Sequence, residues 1–182
     1  MENRYSEIIK KLLLKSKSGF SIGEVLLAAF IMVVALTVVV SLIASSMNHS
    51  MDSRNHIIAS ELAQEGAELV RNLRDNNLAN EKPSFDDFPD SSSNCRIDMN
   101  ATILSCSLSN FELKYAGNFY VHGGSGSATK FSRRIVIGNY ETTGRKIFSI
   151  VSWGTIPPSI LTNCTVTGKC AYVESILSNL DN

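Results

Sequence analysis

From Val25 to Ala44 the chain carries twenty consecutive residues without a charge, VLLAAFIMVVALTVVVSLIA. Only Thr37 and Ser41 are polar in this run, and a hydroxyl in a helix can bond back to its own backbone. At about 1.5 Å per residue, the run covers roughly 30 Å, the thickness of a bilayer's hydrocarbon core. A core helix of a soluble protein is rarely apolar on every face for so long. The run therefore predicts one membrane-spanning helix.

The flanks orient that helix. Residues 1–19 form a basic head, with Arg4, Lys10, Lys11, Lys15 and Lys17 against Glu2 and Glu7. Positive charge beside a span stays on the cytoplasmic side, so the N-terminus is expected inside and the rest of the chain outside. The run is longer than the apolar core of a secretory signal, and no A-x-A cleavage pattern follows it.

Past the span, Met47, Met51, Ile58, Leu62, Leu69 and Leu73 recur at spacings of three, four or seven, with Gly66 and Val70 beside them. This predicts an amphipathic helix with one apolar stripe; Glu61, Glu65, Glu68, Arg54, Arg71 and Arg74 read as a solvated face. No proline occurs between the span and Pro83, so one helix from about Ser21 to Asn77 is expected. The segmentation is then 20–47 in the membrane, 48–77 amphipathic, and 78–94 a proline- and serine-rich loop. Asp86, Asp87 and Asp90 in that loop lack the spacing of a known calcium site.

Residues 95–182 read as strands. CRIDMNATILSC, from Cys95 to Cys106, suggests a hairpin turning near Met99-Asn100-Ala101. FELKY and NFYVH flank Gly117, then FSRRIVIG and KIFSIVSW are separated by a polar turn. The closing AYVESILSNL fits a strand or a short helix. The predicted fold class is α+β: a long N-terminal helix, membrane-spanning in its first half, packed on a C-terminal antiparallel sheet.

All four cysteines, Cys95, Cys106, Cys164 and Cys170, lie beyond the span. If that side is oxidising, they are disulfide candidates. Their gaps favour 95–106 and 164–170 among the three possible connectivities. Zinc would want C-x₂₋₄-C spacing, which is absent.

Enzyme chemistry finds no footing in the sequence. His49, His56 and His122 are scattered, and no G-x-S-x-G is present. The glycine loop 123–127 lacks the phosphate-loop pattern and reads as a flexible connection. Arg133 and Arg134 could bind an anion or DNA, but adjacent strand residues face opposite ways and make a weak patch. Nucleic acid as a partner has no further support in the sequence. No metal or other cofactor is expected.

Glu24 stands out, a carboxylate at the start of an apolar helix. The junction reads Gly19-Phe20-Ser21-Ile22-Gly23-Glu24-Val25-Leu26. A basic leader, a glycine, a phenylalanine, a glutamate at the fifth position after the cut, then a long apolar helix: this string resembles the N-terminus of type IV prepilins and pseudopilins. GFSIGEVLLA is similar to that family's GFTLIELLVA. It departs at Gly23, where a large apolar residue is usual, and no proline occurs in the first helix. ELAQEGAELVRNLRD and the paired strands FSRRIVIG and KIFSIVSW are similar to PilV-like minor pilins, as is the closing AYVESILSNL.

The resemblance implies a pilin-like fold and a structural role, not an enzyme. A prepilin peptidase would cut between Gly19 and Phe20 and methylate the new amine of Phe20. Glu24 would pair with that amine on a neighbouring subunit. The implied partners are other pilins or pseudopilins, the peptidase and the assembly platform in the membrane. The implied location is the inner membrane for the precursor, then a surface or periplasmic filament. The alternative is an unprocessed single-pass membrane protein with an external binding domain. Cleavage would remove five basic and two acidic residues, leaving twelve basic and fifteen acidic. The formal neutrality of the whole chain then conceals a positive leader and an acidic product.

Overall fold

The computed structural model describes residues 19–89, 93–99, 105–106, 110–140, 144–154, 164 and 168–181. Its elements are one helix, α1 (Ile22–Ala79), and seven strands: β1 (Ser93–Arg96), β2 (Ser105–Cys106), β3 (Glu112–Ala116), β4 (Phe119–His122), β5 (Ser127–Tyr140), β6 (Gly144–Trp153) and β7 (Cys170–Ser178). The class is α+β. The chain divides into two compact units, Met1–Asn48 and His49–Asn182.

In the first unit α1 opens after Ser21, whose carbonyl accepts from the amides of Glu24 and Val25 at 2.9 and 3.2 Å. Every residue from Ile22 to Asn48 is exposed. The helix is long and apolar enough to cross a membrane. Its two hydroxyls bond back into it: Thr37 Oγ1 donates to Val34 O and Ser41 Oγ to Val38 O, both at 2.8 Å. The polar atoms of the run are thus satisfied inside the helix, as lipid requires.

In the second unit the helix buries Asn55, Ala59, Leu62, Ala63, Gly66, Ala67, Val70, Leu73 and Asn77. This face is rotated from the stripe expected from the large residues. Met47 and Met51 are exposed, and Ile58 and Leu69 are only partly covered. The small residues mark the true contact line because they let the helix backbone approach the sheet. A Cβ at Gly66 would run into Ser149 Oγ, Arg133 Cδ and Ile135 Cδ1.

The helix ends two residues beyond the expected Asn77, in a Schellman motif. Lys82 N donates to Asn77 O and Glu81 N to Leu78 O, at 2.9 and 3.0 Å. Glu81 takes the left-handed conformation, φ 58°, that this cap demands. The following loop is anchored: Asn77 Nδ2 donates to Asp86 O at 2.9 Å, and Phe88 joins the core.

All described strand pairings are antiparallel. The long β5 is the spine. β6 lies along one side from Phe131↔Trp153 to Tyr140↔Gly144, and β7 continues beyond β6. The other side of β5 is shared: β3 pairs with its first half and β1 with its second. Between Glu112 and Lys114 the β3 register shifts, and Thr129 Oγ1 donates to the Leu113 carbonyl there at 2.6 Å. β3 and β4 are joined by Gly117 and Asn118, both with positive φ, as a two-residue hairpin turn requires.

Two apolar clusters lie between helix and sheet. One gathers Val70, Leu73, Phe88, Cys95, Ile97, Ile135, Ile137, Ile147 and Leu177. The other gathers Ala59, Leu62, Ala63, Leu113, Phe131, Val151, Trp153 and Ala171. The level of Gly66, with Arg133 and Ser149 beneath it, falls between them along the helix.

The structure revises several readings. β5 begins at Ser127, so Ser127–Lys130 is strand and the glycine turn is shorter than the expected connection. The C-terminal segment is strand β7, not helix, because it completes nine paired positions with β6. Residues 1–18, the hairpin turn at Asn100-Ala101 and Asp90 lie outside the described residues.

Candidate functional site

Four features can be weighed as sites, and the first is the N-terminal junction. Phe20 is 79% exposed, and Glu24 sits in the first turn of α1, where a negative charge complements the helix dipole. Among the described residues no cation lies within ion-pair distance of Glu24. A Cβ on Gly19 would meet nothing within 4 Å, and its φ lies outside the left-handed region. Among the described residues, nothing demands glycine at position 19.

The second feature is the cysteines. The structure joins Cys95 to Cys106 and Cys164 to Cys170. The first disulfide links the paired positions of β1 and β2. The second closes a short loop against Ile150 on the outer face of the sheet. Each ties segments local in sequence, which is why the spacing pointed to them.

The third is a buried polar network that the sequence did not disclose. Arg133 is fully buried, on the helix face of β5. Its Nη1 donates to Glu65 Oε1 at 3.0 Å and to Leu62 O at 3.4 Å, and its Nη2 to Ile97 O at 3.0 Å. Its carbonyl faces His122 Nε2 at 3.0 Å, while His122 Nδ1 faces Asp98 Oδ1 at 2.8 Å. Both ring nitrogens thus lie within hydrogen-bond distance of an oxygen. Burial pushes the Asp98 carboxyl up, but the side-chain and backbone hydrogen bonds from His122, with the charges of His122 and Arg133, outweigh it. They hold it below the usual carboxylate value of 3.8. This network joins helix, β4, β5 and the segment after β1. Both Arg133 Nη atoms and both His122 ring nitrogens are spent on other parts of the chain, while Arg133 Nε is buried without a partner among the described residues.

Arg133 therefore cannot serve a surface anion or DNA patch. Arg134 points to the opposite face, is 8% exposed and lies over the Phe111 ring, 4.5 Å from its centroid. The expected pair of adjacent arginines is split between the core and the outer face.

The fourth is a cavity of about 370 Å³ lined by residues including His56, Ser60, Cys170 and Tyr172. His56 packs edge-on against Trp153, with ring centroids 6.1 Å apart. His49 is exposed on the helix. Asp86 pairs with Lys82 at 3.2 Å rather than gathering with Asp87. Among the described residues no cluster of three metal-ligating side chains forms.

Compared with family models, curated proteins and solved structures, the chain matches none of them.

Proposed function

We propose that this chain is a structural subunit, a minor pilin or pseudopilin, of a type IV pilus-like filament. The observation that carries the reading is the junction. Gly19, Phe20 and Glu24 stand in one register ahead of the apolar run, and Gly19 has no local reason to be glycine. A requirement imposed by another protein, a peptidase whose site admits no side chain there, supplies the reason.

The chemistry is simple. Hydrolysis of the Gly19–Phe20 bond leaves a carboxylate on Gly19 and an ammonium on Phe20, which is then N-methylated. The ammonium is a cation at the same end of the apolar helix as Glu24. In a filament core, where the apolar helices pack against one another in place of lipid, a lone carboxylate is costly and a paired one is not. Glu24 of one subunit meeting the Phe20 amine of the next removes the cost and fixes the axial register. The exposed apolar half supplies the packing surface.

Two substitutions test this. Gly19→Leu leaves an uncut precursor in the membrane, seen as a band larger by the leader. Glu24→Ala is cut normally but enters filaments poorly. Normal cutting of the first, or undiminished incorporation of the second, contradicts the reading. Retention of residues 1–19 in the wild-type protein favours the unprocessed single-pass alternative instead.

A further inference from the structure

Among the described residues, Arg134 is a buried cation without a carboxylate partner. It lies on the sheet face opposite the helix, and its Nε is buried with no hydrogen-bond partner among the described residues. Burial lowers its pKa, as expected when a charged form loses water without gaining a counter-charge. The Phe111 ring offsets only part of that loss.

A second arginine stands beside it. β1 and β5 pair as Ser93↔Ile137, Asn94↔Val136 and Cys95↔Ile135. The next position along that register sets Arg96 opposite Arg134. Cys95 is buried in the core, so Arg96 projects to the outer face with Arg134. Arg96 Nη1 donates to Asn110 O at 3.1 Å, and Arg134 covers Phe111, so consecutive residues touch the two guanidinium groups. The Arg96 Nε is likewise buried without a partner among the described residues. The acidic residue nearest in register is Glu112, opposite Ser132, which is exposed and forms no ion pair among the described residues.

Like charges directly opposite across a strand pair destabilise it, and a buried cation needs a counter-charge. One anion between the two guanidinium groups reverses both penalties, and the planar fork of arginine suits oxyanions. The neighbours on this face include the apolar Val136, Phe148 and Ile150 and the buried Ser132 and Ser152. Two recessed cations bordered by apolar residues and serines fit a small anion, whereas a polyanion is held by a continuous basic stripe.

We propose that Arg96 and Arg134 form a binding site for a small oxyanion of the phosphate or sulfate type on the outer face of the sheet. The site is independent of leader processing and filament entry.

The test is thermal unfolding of the detergent-solubilised full chain in sodium phosphate against sodium chloride at equal ionic strength. At phosphate about tenfold above its dissociation constant, the wild-type midpoint rises by about 3 °C. Arg96→Gln, at a half-buried position, and Arg134→Met each abolish the rise. Equal wild-type midpoints in the two salts, or a rise retained in both variants, overturns the proposal. A single-stranded oligonucleotide at equal phosphate-group concentration gives no larger rise than inorganic phosphate; a larger one overturns the small-anion assignment.

Discussion

The two halves of α1 have the same backbone and opposite surfaces. From Ile22 to Asn48 large apolar side chains cover every face and all are exposed. From His49 to Ala79 the apolar contact is one line of mostly small residues, Ala59, Ala63, Gly66 and Ala67 among them, pressed on a sheet. Under the proposed function the first half is bulky because lipid or another helix fills in around it. The second is small where it touches because the sheet backbone must come close. The residues that stabilise the first half do so only with a partner outside the chain.

The largest expected effect is a matched pair of leucines on this helix. Leu62→Ala, at a 4% exposed position in the core, should cost about 3 kcal/mol of domain stability. Leu36→Ala, at a 57% exposed position, should cost under about 0.5 kcal/mol in the solubilised subunit. Denaturant unfolding of the full chain in detergent compares them, and equal losses would break the distinction between the halves.

Leu36→Arg sharpens the same contrast in the other solvent. A charge at the middle of the run should cost insertion about 3 kcal/mol and leave the unfolding of the outer domain unchanged. Membrane fractionation reads the first effect and domain unfolding the second.

The contact line itself had only part of its signal in the sequence. Periodicity located a helix with a stripe, and its Leu62, Gly66, Val70 and Leu73 are buried, but Met47, Met51, Ile58 and Leu69 set the stripe too far to one side. Small residues carry little hydrophobic signal, and only the sheet reveals that Gly66 is where the helix crosses closest. Disulfide pairs and the two strands either side of Gly117 were legible because each is local. The fates of Arg133 and Arg134 were not. Alternation shows that they part company, but which face is the core depends on Glu65, 68 residues earlier, and on Ile97. Arg96 meeting Arg134 depends on a strand register that no local pattern encodes. The junction at Gly19, Phe20 and Glu24 was legible as a string, and under the proposed function its constraints come from outside the fold.

Gly66→Ala should therefore destabilise the domain by about 2 kcal/mol although alanine is the better helix former, since the added methyl collides with Ser149, Arg133 and Ile135. The same change at Gly23, where an added Cβ meets nothing closer than Ser21 Oγ at 3.8 Å, should leave unfolding unchanged. A smaller loss at Gly66 than at Gly23 would show that the contact line is misplaced.

The smallest effect is in acid. Asp98, and Asp181 through its hydrogen bonds from the Ser84 hydroxyl and amide, have carboxyls held below the ordinary value of 3.8. A depressed folded-state pKa stabilises above the unfolded value and loses that contribution as pH falls through the folded one. Stability should thus decline below about pH 4, and Asp98→Asn should flatten that decline. An unchanged acid limb in the variant would remove Asp98 from the account.

The most direct test of the central claim is the intact mass of the chain purified from cells that express a prepilin peptidase. The account predicts a polypeptide that begins at Phe20 and carries one added methyl group on its amine. A mass that still includes Met1 to Gly19 would contradict it.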